Sequence, residues 1–125
     1  LSLHDALPIF QVRCFIGDED VKEAARESGI TRSAVSVDKA ARLYPDCIYA
    51  VGNAPTALMR LYEKIRTGEI RPRLVVGVPV GFVNVVEAKE LILSAGVPCI
   101  VARGRKGGSN VAAAICNALL YDRKV

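Results

Sequence analysis

The feature that most constrains this chain is a repeated alternation. A short apolar run, bounded by Gly, Pro or Asn, is followed by an amphipathic stretch of helical period. The runs at 11–16 (QVRCFI), 47–51 (CIYAV), 73–78 (RLVVGV) and 98–102 (PCIVA) read as strands. Between them the apolar residues fall three and four apart. Val21, Ala24, Ala25 and Ser28 follow a potential cap at Asp18, and Gly29 stops that helix. Thr31 caps a second helix through Leu43, with Ala34, Val35 and Ala41 inward and Pro45 beyond its end. Pro55 sits in the first turn of a third, where its missing N–H costs nothing; Leu58, Leu61, Tyr62 and Ile65 form its stripe, and Gly68 ends it. Asn84 with Glu87 three residues on reads as a capping-box variant opening a fourth helix, closed by Gly96 and Pro98. A very apolar last helix spans 110–121. Strands alternating with helices of this length predict an α/β, Rossmann-like three-layer fold with a mostly parallel sheet, incomplete in this chain.

Length and charge narrow the function classes. The chain has 125 residues, enough for one globular domain or a piece of one. No run approaches the roughly 20 apolar residues of a membrane span, so no membrane partner is expected. A formal net charge of +4 is a mild bias toward anionic ligands. The tyrosines at 44, 49, 62 and 121 are scattered and offer no stacking platform, so no nucleic-acid partner is expected. Cys14, Cys47, Cys99 and Cys116 show no CxxC spacing; they read as buried, reduced thiols of a cytoplasmic protein, with no metal site.

Residues 1–10 are expected to be foreign to the fold. Nine codons from the tail of a common sequencing-library adapter (CTT TCC CTA CAC GAC GCT CTT CCG ATC) translate to LSLHDALPI, the first nine residues in order, and the next adapter base can begin the Phe10 codon. Such a scar is excluded from fold reasoning. The only histidine, His4, lies inside it and is set aside as a general acid or base.

In a doubly wound sheet, ligands bind outside the carboxyl ends of the strands. Three loops stand there: 52–56 (GNAPT), 77–84 (GVPVGFVN) and 104–110 (GRKGGSN). Each opens on Gly, which lets backbone approach a ligand, and ends on a small polar residue at a helix start, where free N–H groups favour an anion. The candidate binding residues are Arg32, Ser33, Asn53, Thr56, Asn84, Glu87, Arg105, Lys106, Ser109 and Asn110. Lys89 is expected to face solvent. Loop 104–110 can be read as a carboxylate or phosphate site or as a solvated loop with a Ser cap. It does not match GxxxxGK[ST], and no GxGxxG follows a strand. A Rossmann-like binding module for a phosphorylated or nucleotide ligand stays open as the alternative.

The stretches CFIGDEDV, GITRSAVSVDKA, YAVGNAPTAL, PRLVVGVPVGFVNVVEAKE and GVPCIVARGRKGGSNVAAAICNALLY resemble the precorrin-8X methylmutase (precorrin isomerase) family, most of all its cobalt-precorrin-8 branch. The resemblance runs over 11–121, so 11–125 reads as the C-terminal part of such a domain. It implies a homodimer when complete and an isomerase that moves a methyl group from C-11 to C-12 of a corrinoid. That reaction gives hydrogenobyrinate or cobyrinate in cobalamin biosynthesis, with no external cofactor. Its substrate, a macrocycle fringed with carboxylates, suits cationic loops. The family's proton-transferring histidine lies in an N-terminal part that the resemblance does not find here, and His4 is outside that motif, so no catalytic residue is assigned. Ala88 stands where the family commonly has Ser. General acid–base work contributes about 10²–10⁴-fold. The 125-residue chain is therefore expected to yield no product from cobalt-precorrin-8 in a turnover assay, and measurable turnover would refute that.

Overall fold

A computed structural model describes residues 13–81, 84–102 and 107–121. Its elements run α1 (Glu19–Ser28), α2 (Arg32–Leu43), β1 (Ile48–Val51), α3 (Pro55–Thr67), β2 (Leu74–Gly77), α4 (Val85–Ser94), β3 (Cys99–Val101) and α5 (Ser109–Tyr121). Among the described residues the three strands form one parallel sheet in the order β1-β2-β3. Ile48 pairs with Leu74 and Val51 with Gly77, while Val75 pairs with Cys99 and Gly77 with Val101.

The period-two alternation of β2 builds the layers. Val75 points to one face, into a core with Tyr49, Val51, Leu58, Leu61, Ile70, Ala88 and Ile92. Val76 and Val78 point to the other, against Ala112 and Ile115 of α5. Helices α3 and α4 thus cover one face and α5 the other. Because both of its faces are covered, β2 has to be apolar at consecutive positions, as its sequence is. Burying Leu58 and Leu61 completely contributes about 1.5–3 kcal/mol for each side chain.

The local signals explain the helix ends. Thr31 is extended, and its Oγ1 accepts the N–H of Ala34 at 3.1 Å. Gly29 and Gly68 adopt the left-handed conformation after α1 and α3, with φ of 76° and 83°. Among the described residues no helix is long and apolar enough to cross a membrane.

Two expectations need correction. The segment 11–16 is not a strand over its described part, 13–16; Gln11 and Val12 lie outside the described residues, as do residues 1–10. No described strand lies alongside to share its backbone hydrogen bonds, and a lone run gains nothing from extension. Instead Phe15 turns inward among Val21, Val35 and Tyr44, its ring stacked on Tyr44 at 6.4 Å between centroids. The Arg13 guanidinium and Lys39 ammonium sit over that ring at 5.7 and 5.3 Å. The second correction concerns the thiols. All four are free, but Cys14 is exposed and Cys47, Cys99 and Cys116 are half-buried. Cys14 precedes the inward-turned Phe15 of an irregular segment, and Cys47 and Cys99 stand at the margin of the core around Leu58 and Leu61.

Helices α2 and α3 are joined by a charge network. Arg60 grips Asp38 through two bonds of 2.8 and 2.9 Å, and Lys64 stands 3.5 Å from Asp38 and 3.2 Å from Glu69. Burial pushes the Asp38 carboxyl up, but Arg60 and Lys64 outweigh it and hold the group below its ordinary 3.8. A lowered carboxylate pKa adds stability above the unfolded value and loses it as pH falls through the folded one. Urea titrations should therefore show the wild type more stable than Asp38→Asn at about pH 7, with the gap closing as pH falls below the carboxyl's ordinary 3.8. A gap that stays constant into that acid range would contradict the network's role.

Candidate functional site

The strand-to-helix loops meet at the carboxyl end of the sheet. The Gly108 N–H donates to the Val78 carbonyl at 2.8 Å, so the chain entering α5 is tied to the end of β2. The Val78 N–H in turn donates to Val51 at 2.9 Å, tying β2's end to β1. Gly107 lies so close to the Val78 and Pro79 carbonyls that no side chain could stand there. At Gly52 a Cβ would come within 2.9 Å of both the Ala112 methyl and the Ser109 Cα. These glycines therefore let loop pack on loop. The expectation that loop-opening glycines clear space for a ligand is corrected for Gly52 and also for Gly77, where an added Cβ would meet the Leu58 methyls at 3.3 Å.

A fourth loop joins from the outer helices. Thr31 Oγ1 lies 3.2 Å from Thr56 Oγ1, so the start of α2 touches the start of α3. Four helix starts thus share one rim. Helices α3 and α4 have no side-chain cap at the positive ends of their dipoles; in α3 Pro55 brings no N–H and the Ala57 N–H donates to the Ala54 carbonyl at 3.1 Å.

The rim gathers most of the sequence candidates. Asn53 adjoins Gly52, which packs on the α5 start carrying Ser109 and Asn110. Arg32 follows Thr31, whose hydroxyl touches Thr56. Arg32, Asn53, Thr56, Ser109 and Asn110 are exposed and Ser33 is half-buried. Asn84 and Glu87, also exposed, occupy the α4 start at the same end of the sheet without a direct contact to that cluster. Arg105 and Lys106 lie outside the described residues. Apolar surface is interleaved with the polar groups, for Val80, Val86 and Val111 are exposed at these same loop and helix starts.

The capping box at Asn84 does not form. Asn84 has φ 62° and its side chain makes no cap bond. A side-chain cap needs an extended backbone; the left-handed turn forbids it, and Asn is among the few residues that tolerate that turn. Glu87 accordingly stays exposed and free of that role.

Lys89 reverses its expectation: it is fully buried. It belongs to the stripe Val85, Ala88, Lys89, Ile92, which turns to the core side of α4. Burial holds its ammonium below the ordinary 10.5. The i, i+3, i+4, i+7 spacing was the signal that could have found it. The Thr31–Thr56 contact was also missed, since Thr31 reads from sequence as a cap alone.

A groove between α1, α2 and α3 is lined by Asp38, Lys39, Arg42, Arg60, Lys64 and Glu69, with Ile30 and Val35 among its apolar walls. Its Lys39, Arg60 and Lys64 are bound to carboxylates. Among the described residues no cluster of His, Cys, Asp or Glu could hold a metal ion.

Comparison with known proteins gives consistent likenesses. Residues 4–122 match the family model described as precorrin-8X methylmutase. The chain is 51% identical over 112 residues to the cobalt-precorrin-8 methylmutase of Salmonella typhimurium, covering 89% of this chain and 51% of that protein. It is 44% identical over 114 residues to that of Methanocaldococcus jannaschii, covering 91% and 54%. A solved "precorrin-8X methylmutase related protein" superposes with a TM-score of 0.79 at 38% identity, over 87% of this chain and 57% of that one. The precorrin-8x methyl mutase from Thermus thermophilus superposes at 0.73 with 45% identity, over 85% and 51%. The chain spans about half the length of the curated relatives it matches.

Crowding at Gly52 generates a test. Gly52→Ala must push the α5 start off the rim and should cost about 1–3 kcal/mol in chemical denaturation. Gly17→Ala, whose added methyl would meet nothing within 4 Å, should change stability little. Equal effects from the two substitutions would show that the loops are not docked on each other.

Proposed function

Because the chain belongs to the precorrin-8X methylmutase family, we propose that its rim holds the corrinoid whose methyl group migrates from C-11 to C-12 within one macrocycle. The observation that carries this reading is the convergence of four helix starts at one edge, fixed by the Gly108–Val78 and Thr31–Thr56 contacts. A corrinoid presents an apolar disc with carboxylates at its circumference. Val80, Val86 and Val111 suit the disc, while Arg32, Thr56, the positive ends of the helices and the hydroxyl and amide groups of Asn53, Asn84, Ser109 and Asn110 suit the fringe. Arg105 and Lys106 join this set as the cations of the loop entering α5, and Ser33 as a half-buried hydroxyl beside Arg32. Glu87 would serve only toward a donor of the substrate, being a carboxylate itself.

The assignment is one of grip. The methyl migration is intramolecular, so no co-substrate has to enter. Loops anchored to one another in advance reduce the ordering cost of binding a rigid disc. Proton transfer is assigned to none of these residues. The reading includes a cytoplasmic enzyme, consistent with four free cysteines. It also includes a homodimer, for which exposed Leu119 on α5 and Ile48 on β1 offer apolar surface.

Thermal melting separates this reading from a nucleotide-binding module. Cobyrinate at about a hundred times its Kd should stabilise the fold by about 2.7 kcal/mol, while ATP and NAD leave the melting temperature unmoved. A shift with nucleotides and none with cobyrinate would overturn the assignment.

A further inference from the structure

The Thr31–Thr56 pair joins two loops that are 25 residues apart, and the donor and acceptor capacities of the two hydroxyls give it a direction. Thr31 Oγ1 already accepts the Ala34 N–H at 3.1 Å. One of its two lone pairs is therefore engaged, and accepting that bond polarises the hydroxyl and strengthens it as a donor. The Thr56 hydroxyl has no other hydrogen-bond partner among the described residues, and it is exposed on the first turn of α3. Pro55 beside it brings no N–H, and the helix has no side-chain cap. The Arg32 guanidinium, next in sequence to Thr31, is exposed and engages no ion pair or hydrogen bond among the described residues.

We infer that Thr31 is a positioning residue: it donates its proton to Thr56, so that the Thr56 proton is turned outward as a directed donor to a substrate carboxylate beside Arg32. This inference rests on the corrinoid reading of the rim and adds which hydroxyl contacts the acid and what aims it. The preference arises because Thr31 Oγ1 accepts a second bond, from the Ala34 N–H, while Thr56 Oγ1 accepts no other among the described residues, and a hydroxyl that accepts a bond is the more polarised donor. The carboxylate, which accepts and never donates, then meets a proton already oriented toward it.

Variants at position 31 separate aiming from capping. Thr31→Asn keeps an amide oxygen for the Ala34 N–H and an amide N–H for Thr56, so it preserves the direction. Thr31→Asp caps the helix as well but only accepts, so it draws the Thr56 proton inward. The experiment titrates the 125-residue chain with cobyrinate, with its heptamethyl ester as the carboxylate-free control and mellitate as a carboxylate-rich probe that is not a corrinoid. Melting curves of each variant check that the fold is kept.

The expected results are affinity for cobyrinate within about twofold of wild type for Thr31→Asn and about tenfold weaker for Thr31→Asp and for Thr56→Val. Placed on a Thr56→Val background, Thr31→Asp should cost only the small residue owed to its added charge. Equal losses from Thr31→Asp in both backgrounds, or a loss from Thr31→Asn as large as from Thr31→Asp, would overturn the inference. If the wild type holds mellitate but not cobyrinate, the corrinoid reading fails while the same cycle, run on mellitate, still decides the hydroxyl direction. A chain that holds neither polycarboxylate overturns both.

Discussion

The Gly108 amide bound to the Val78 carbonyl is the contact on which the rest of the arrangement depends. Strand β2 is the centre of the sheet, and Val78 is the first residue past its end. Hooking the chain there lays α5 across the face opposite α3 and α4, where it covers Val76 and Val78. It also brings Ser109 against Gly52, so the loop after β1, the loop after β2 and the start of α5 become one surface. The requirement is steric. Residue 107 faces two carbonyl oxygens and residue 52 a helix start, and neither position has room for a side chain. A glycine-rich segment that reads as ligand-approach chemistry is here the means by which three loops lock together.

That locking gives the rim its chemical character. Four helix starts presented side by side concentrate partial positive charge without needing many cations, since α3 and α4 carry no side-chain cap. Valines exposed among these starts supply an apolar floor. A ligand with a flat hydrophobic body and an acidic edge fits both at once. The groove along α1, α2 and α3 differs, because its Lys39, Arg60 and Lys64 are already engaged by Asp18, Asp20, Asp38 and Glu69, which leaves Arg42 as its cation without such a pair among the described residues.

Much of this was legible in the sequence wherever local chemistry decides the outcome. Gly29 and Gly68 stop helices because left-handed backbone is cheap only for glycine. Thr31 caps α2 because its hydroxyl reaches the third amide. The continuous apolar run of β2 announced cover on both faces. The misses fall where a third party decides. Residues 13–16 have strand-like composition, but a strand exists only with a neighbour to pair with. Asn84 has the right residue type for a cap, but its arriving backbone is left-handed. Lys89 was assigned by residue type, while its position in the Val85–Ala88–Ile92 stripe commits it to the interior of α4's contact. The Thr31–Thr56 contact depends on how α2 lies on α3, which spacing alone does not encode. Family membership was legible from long motifs such as VGVPVGFVNVVE and GRKGGSNVAAA, and the family match bears it out.

The central claim is that the rim, and not the helix-lined groove, holds a carboxylate-fringed macrocycle. Amide hydrogen exchange with and without cobyrinate tests it most directly. Slowed exchange is expected to be confined to the starts of α2, α3, α4 and α5 and to the amides of residues 78, 80, 81, 107 and 108, with the amides of Lys39, Arg42 and Lys64 unchanged. Protection centred on those groove residues, with the four helix starts unaffected, would contradict it.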